Sequence, residues 1–489
     1  MSQYGAYGYA QHGFPYPKIV AHYFPGTTLG PAPVTKVRVL LTAGTKTVKI
    51  GSTSDFAVRD ANGDSHTVTA GTYALTPKLK LKVDDAAKPK ALSAPLIFQP
   101  GAAPLTLGSH HYRGAIQIDT DSGKLRAINI VGLEQYLYGV VPSEMPHTWA
   151  AEALKAQAVV ARSYALATKR SGAFELYPDT RSQVYLGIDH EFPETNAAVD
   201  ATAGKVVLYG GEVARTYFFS SSGGRTAASQ DVWGTAIPYL VSVPDPYDTI
   251  SPYHNWGPFA FTATKLARVL HCGRPIQDLE TTLNSSGRVQ TLTVTTPQGQ
   301  RSFQGTGLRR LLGLRSTWFT VGVLALRAPD GPVTYGSAAK LNGVARGVAH
   351  VSLQVRSGGL WKTAGAVSPA DDGSVTISVR PTATTDYRLA SGKIAAGSTH
   401  VPVAPLVRIA PPRTQTELRG YMRPAIAGAT AVIQRQNGTS WVAVARATVD
   451  GSGKFAAQLQ LTDGTYRARV VAGHGLVPGF SQVLQVSSS

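Results

Sequence analysis

Cysteine is almost missing from this chain of 489 residues: Cys272 stands alone. No disulfide can close within the chain, and no thiolate-based metal site can be built. Long apolar runs are missing too. No stretch of 18 apolar residues occurs, so no transmembrane helix is expected, and no signal peptide is recognisable. Acidic residues are scarce beside basic ones, 29 against 47, which leaves a net charge of +18. That excess suits a polyanion such as nucleic acid, anionic lipid or an anionic wall polymer, or it simply keeps the chain soluble. No nucleic-acid recognition motif accompanies it, so nucleic acid is not an expected partner. Apolar residues are not scarce. At 43 % they are ample for real cores, and the length implies two to four domains.

Against this background one acidic residue stands out. The run LEQYLYGVVPSEMP at 133–146 reads as an apolar, strand-like segment ending in a tight turn. Glu144 lies in that turn between Ser143 and Met145, with Pro142 and Pro146 on either side. A helix over about 149–168 follows. Low local polarity raises a carboxyl pKa, which makes a general acid possible near neutral pH. Ordinary glycosidases use two carboxylates. Here the nearest acidic residues in the chain, Glu134 and Glu152, sit at opposite ends of the segment, and neither is a convincing partner. On the helix, Leu154, Ala158, Ala161 and Ala165 share one face, and the many alanines imply close packing. Lys155 and Arg162 lie one heptad apart on another face, as solvated charges usually do.

The rest of the chain divides by pattern. The N-terminal stretch 8–20 reads as a short helix ended by Pro25-Gly26. Period-two alternation between about 34 and 130 gives strands at 37–41, 47–50, 79–83 and 115–118. A helix then a strand are expected over 194–209. At 217–224, aromatic strand residues run into Ser220, Ser221, Ser222, Gly223 and Gly224, a turn that offers hydroxyls and open backbone amides. From about residue 333 one unit occurs twice. Trp361, Asp372-Gly373 and Tyr387-Arg388 recur as Trp441, Ser452-Gly453 and Tyr466-Arg467, at offsets close to 80 residues. Short strands with one Trp each predict small immunoglobulin-like β-sandwiches in which the Trp is a core residue. The Pro-rich stretch 401–405 is a natural linker.

The motifs around Glu144 resemble those of the stage II sporulation protein D family, whose pattern reads roughly LE-Y-GVVPSEMP followed by EALKAQAVAARSYAL. The opening MSQYGA, HYFPGT at 22–27, Tyr112-Arg113-Gly114, SSSGG at 220–224, Val232-Trp233-Gly234 and the stretch 312–319 resemble the family as well, so the likeness covers residues 1 to about 323. It implies an α+β architecture: a mixed catalytic domain over 1–325, with a β-rich inserted subdomain at 36–120 and the catalytic part at 121–325. β-Sandwiches at 333–405 and 406–489 follow. The family includes peptidoglycan lytic transglycosylases and amidase enhancers. A transglycosylase can work with one carboxylate, which fits Glu144 as catalytic residue. The alternative is a non-catalytic wall-binding enhancer of an N-acetylmuramoyl-L-alanine amidase. The resemblance also points Lys155, Arg162, Tyr185, Ser220, Ser221, Ser222, Gly223 and Gly224 toward substrate. The partners it implies are peptidoglycan glycan strands and possibly an amidase, with anionic wall polymers fitting the charge. Some members bind a metal near the Gln-Val-Tyr motif through a cysteine. Ser182 stands there in this chain, so no metal and no cofactor are expected. The chain opens inside a motif that is longer in the family, so an export signal is expected to be missing and the location to be extracytoplasmic, in the cell wall or secreted.

Overall fold

The computed structural model describes residues 1–255, 259–261, 263–273 and 276–487. They fall into two compact units, Met1–Asn255 and Trp256–Ser489.

The first unit is built on two antiparallel sheets. One has six strands in the order Lys36–Thr45, Lys124–Gly132, Ala115–Asp121, Leu96–Gln99, Phe56–Arg59, Ser65–Val68. The other runs His110–Tyr112, Leu105–Leu107, Val48–Ser52, Gly71–Leu75. Alternation in the sequence becomes alternation in space: Ile116 and Ile118 are fully buried, and the core they join includes Val37, Ile50, Val58 and Phe98. The β-rich region does not stop at residue 120. Strand Lys124–Gly132 is hydrogen-bonded on both sides, to Lys36–Thr45 and to Ala115–Asp121.

That strand runs straight into the first correction. Residues Leu133–Glu144 are a helix, not a strand. The buried positions Leu133, Tyr136, Leu137, Val140 and Val141 have helical spacing, which outweighs the β propensity of the tyrosines and valines. The next helix, Ala151–Thr168, starts two residues later than expected and is buried on nearly all sides. Ala158, Ala161 and Ala165 face the sheet core. Leu154, Ala156, Val159 and Val160 face a second core that includes Ile19, Tyr23, Met145 and Val207. A helix wrapped on two sides must be thin, and this explains its alanines. The N-terminal stretch forms two helices, Gln3–Gln11 and Tyr16–Tyr23, because Pro15 opens the second. Helix Pro193–Asp200 and strand Lys205–Tyr209 form as expected.

In the second unit a three-stranded antiparallel sheet, Asp278–Leu283, Val289–Thr296 and Gly299–Gln304, precedes helix Gly305–Leu311. Strand Val321–Arg327 then pairs with Ala339–Arg346. The strand at the expected boundary is shared: Val321 and Val323 pack in the core with Leu292 and Leu308, and Leu324 packs in the core of the first repeat. The two repeats match strand for strand. In the first, Ala339–Arg346 pairs with Ser374–Val379, opposite a sheet of Leu360–Ala366, Ser352–Ser357, Thr385–Ser391 and Thr399–Val401. In the second, Glu417–Arg423 and Lys454–Gln458 stand opposite Ser440–Thr448, Thr430–Asn437, Gly464–Val471 and Leu484–Val486. Each repeat has its own apolar cluster, as a β-sandwich requires. The repeat tryptophans are half-buried and lie outside both clusters. The guanidinium of Arg388 stands over Trp361 at 4.3 Å, and that of Arg467 over Trp441 at 4.1 Å. These rings are covered by cation–π stacking rather than by the core.

Candidate functional site

Glu144 is the last residue of its helix, held at the junction of the two cores by Met145, which is buried in the second. The backbone carbonyl of Glu144 accepts a hydrogen bond from Gln3 Nε2 at 3.0 Å. This ties the opening motif directly to the candidate acid. The rest of that motif is a seat for the first helix. Ser2 Oγ accepts from the Gly5 amide and donates to Asp248. A Cβ at Gly5 would stand 2.2 Å from Tyr23 Oη and 2.3 Å from Asp245 Oδ1, so only glycine lets the helix approach.

Burial raises the pKa of the Glu144 carboxyl above its ordinary value, and a hydrogen bond from the Val184 amide pulls partly the other way. Neither cause is a charged neighbour. The Gln-Val-Tyr motif thus supports the acid. Val184 gives its amide, Gln183 Oε1 accepts from buried Tyr136 Oη at 3.1 Å, and Tyr185 packs on the helix at Gly139. Tyr136 and Tyr164 lie close enough for the Glu144 charge to raise their own pKa values, after the larger effect of burial. From Tyr164 an aromatic surface continues to Tyr217 and Phe218, then to Trp233, whose ring is 4.4 Å from that of Tyr217. Trp233 is 53 % exposed. A cavity of about 240 Å³ is lined by Tyr217, Phe218, Phe219, Val232 and Trp233 among others. The sequence reading did not assign Tyr164, Tyr217 or Trp233. The signal available was the aromatic run at 217–219 and the exposed Trp of the Val232-Trp233-Gly234 motif.

The other expected site residues fare differently. Arg162 is fully buried and does not face a groove. Its Nε and Nη2 donate to the two carboxylate oxygens of Glu134, at 3.1 and 2.5 Å, and its Nη1 donates to the Lys205 carbonyl at 2.9 Å. Glu134 also takes the Gly204 amide. This clamp joins two helices to strand Lys205–Tyr209. Heptad spacing could not reveal it, because the helix has no solvent side at that turn.

Tyr185 is also buried, and its hydroxyl donates to Asn129 Oδ1 at 2.8 Å, so it supports the site from beneath. Lys155 donates to Glu152 at 2.7 Å, and Glu152 accepts the Tyr16 amide. The amides of Ser222, Gly223 and Gly224 are taken within the protein. Ser221 Oγ and the amides of Ser222 and Gly223 all donate to Asp248, which is fully buried and also bonded to Ser2 and His254. The Gly224 amide donates to Ser222 Oγ. Gly223 and Gly224 have φ of +75° and +103°, so they are there for the turn itself. Of the loop, Ser220 is exposed. Lys155→Ala is expected to cost at most about 1 kcal/mol, the usual worth of a partly exposed pair, as measured by urea unfolding.

A family model described as a stage II sporulation protein matches residues 121–209. The amidase enhancer of Bacillus subtilis (strain 168) is 44 % identical over 121 residues, which are 24 % of this chain and 16 % of that protein. Stage II sporulation protein D of the same strain is 30 % identical over 220 residues, 40 % of this chain and 61 % of that protein. An uncharacterized protein of Brachyspira hyodysenteriae is 37 % identical over 142 residues, 28 % of this chain and 39 % of that one. The chain thus spans between 16 % and 61 % of the length of these relatives. Among solved structures, a two-domain fibronectin type III segment from chicken tenascin is 17 % identical over 33 % of this chain and 98 % of that one, with a TM-score of 0.21, too low to bear on the fold. The matched segment holds Glu144, its helix and the Val184 amide, and over this segment the chain is similar to stage II sporulation proteins.

Proposed function

We infer that the chain acts on the bacterial cell wall, as a lytic transglycosylase with Glu144 as its one acid–base group. The observation that carries this reading is the environment of Glu144: a carboxyl raised by burial, with a backbone amide on it and no charged neighbour among the causes of its shift. Such a group can begin neutral, which the chemistry requires. Protonated Glu144 gives its proton to the glycosidic oxygen between N-acetylmuramic acid and N-acetylglucosamine. The C1–O bond breaks and the glucosamine leaves as an alcohol. The C6 hydroxyl of the muramic acid attacks C1, and the Glu144 carboxylate takes its proton. The products are a 1,6-anhydro end and a regenerated acid, with no water consumed. The aromatic surface from Tyr164 to Trp233 supplies flat faces on which the C–H faces of sugar rings pack. The net charge of +18 suits the anionic polymers of a wall, where the protein would work outside the cytoplasm. No helix of the described residues is long and apolar enough to cross a membrane.

The likeness to an amidase enhancer favours a second reading, in which the chain binds glycan and stimulates an amidase partner without turnover. Mass spectrometry of purified glycan strands after incubation separates the two. Anhydro-muramic ends are expected. Unchanged strands, together with a faster amidase when both proteins are present, would replace the enzyme with the enhancer, and reducing ends would indicate a hydrolase.

A further inference from the structure

The β-rich region carries a group of side chains that the glycan site does not use. The hairpin joining Phe56–Arg59 to Ser65–Val68 lies at one edge of the six-stranded sheet. It holds Asp60, Asp64 and His66, and one ligand atom from each lies within 4.8 Å of the others. Asp60 and His66 are buried, and Asp64 is exposed. Alone, two carboxylates on a turn mean little, since Asp60 also accepts the Asn62 and Asp64 amides, at 2.9 and 3.2 Å. The histidine changes the reading. His66 is only 9 % exposed, and its Nδ1 is taken by Asp84 at 2.5 Å. Its Nε2 is buried and has no hydrogen-bond partner among the described residues. A buried imidazole nitrogen left without a partner is costly, and this ring is one of the three groups whose ligand atoms converge here.

We propose that Asp60, Asp64 and His66 bind a divalent transition-metal ion of the Zn²⁺ type, with His66 Nε2 and one oxygen from each aspartate as ligands. The Asp84 carboxylate accepts the Nδ1 proton. That fixes the tautomer whose Nε2 lone pair is free to bind, an arrangement common to metal-bound histidines. One imidazole and two carboxylates suit Zn²⁺ better than Ca²⁺ or Mg²⁺, which prefer oxygen alone. Three protein ligands leave the fourth position of a tetrahedral site to water. The site would add to the bond by which His66 already ties the edge hairpin to the segment that carries Asp84. It is independent of the role given to Glu144.

The test is titration of the full chain, freed of metal by a chelator, with Zn²⁺ by calorimetry and with Co²⁺ by visible absorption. One tight equivalent, a Co²⁺ spectrum typical of four-coordination and a higher melting temperature with Zn²⁺ are expected. Asp64→Asn, at an exposed position that should not disturb folding, should weaken that equivalent at least about tenfold. Asp84→Asn should weaken it by about 10–100-fold, the usual cost of losing such an outer carboxylate. His66→Gln should remove it. His111→Gln, which alters the exposed histidine pair beside Asp189, should leave it intact. No tight binding, or binding that survives Asp64→Asn and falls with His111→Gln, would overturn the proposal.

Discussion

Glu144→Gln is expected to lower glycan cleavage by about 10²–10⁴-fold, the usual cost of losing general acid–base catalysis. Gln has the same shape and can still accept the Val184 amide, but it cannot cycle a proton. The substitution should not harm the fold. Burial raises the carboxyl pKa, so the native state disfavours the ionised form. The stability linked to this group is fully present below the unfolded pKa and is lost as pH rises through the raised, folded value. At pH 7 the wild type carries that penalty and the variant does not. The variant should therefore melt at the same temperature or higher at pH 7, with the gap closing toward pH 4. Wild-type activity should decline as pH rises through the same folded pKa, because the neutral acid starts the reaction. Thermal scans and rate profiles across pH 4–8 read both effects. Full activity in a folded Glu144→Gln protein would end the assignment of Glu144 as the acid.

Arg162→Ala should have the largest effect on stability, a loss of up to about 3–5 kcal/mol, because it removes the fully buried member of an ion pair whose carboxylate is 28 % exposed. The guanidinium is fully buried and makes bidentate contact with Glu134 while holding the Lys205 carbonyl. Its removal orphans that carbonyl and leaves Glu134 with the Gly204 amide alone of these contacts. Arg162→Lys should recover only part of the loss, since one ammonium cannot reproduce a planar two-pronged contact. Equilibrium unfolding in urea measures both. A cost below about 1 kcal/mol would mean that the clamp adds nothing measurable, as for an exposed pair. Activity lost in the folded Arg162→Lys protein without loss of stability would return Arg162 to the substrate groove.

The two residues illustrate how a sequence can be informative and misleading at once. Glu144 was legible because a single carboxylate between prolines in an apolar run is a local oddity, and its chemistry depends on local polarity. Arg162 was not, because a cation on a helix is normally solvated. Only the packing of a second core on the far side of that helix removed the solvent. The serine–glycine loop was partly misread for a related reason. Its amides looked open in the sequence, but Asp248, more than twenty residues further on, folds back to occupy them.

The sequence by itself determined the alternating strands of the β-rich region, the duplication of the C-terminal unit and the apolar setting of Glu144. Each of these is written in short-range periodicity or in one motif, where the physics is local. Residues 133–144 carried conflicting signals, strand-prone tyrosines and valines at helical spacing, and packing of that face settled them as a helix. Tertiary structure also decided that Val321–Arg327 pairs with Ala339–Arg346 of the first repeat while Val321 and Val323 pack in the core before it. Finally, it brought Val184 and Tyr164 to Glu144 and set Tyr217 and Trp233 in a chain of rings beyond Tyr164. Those contacts join residues tens of positions apart, and only the closing of a shared core fixes such distances.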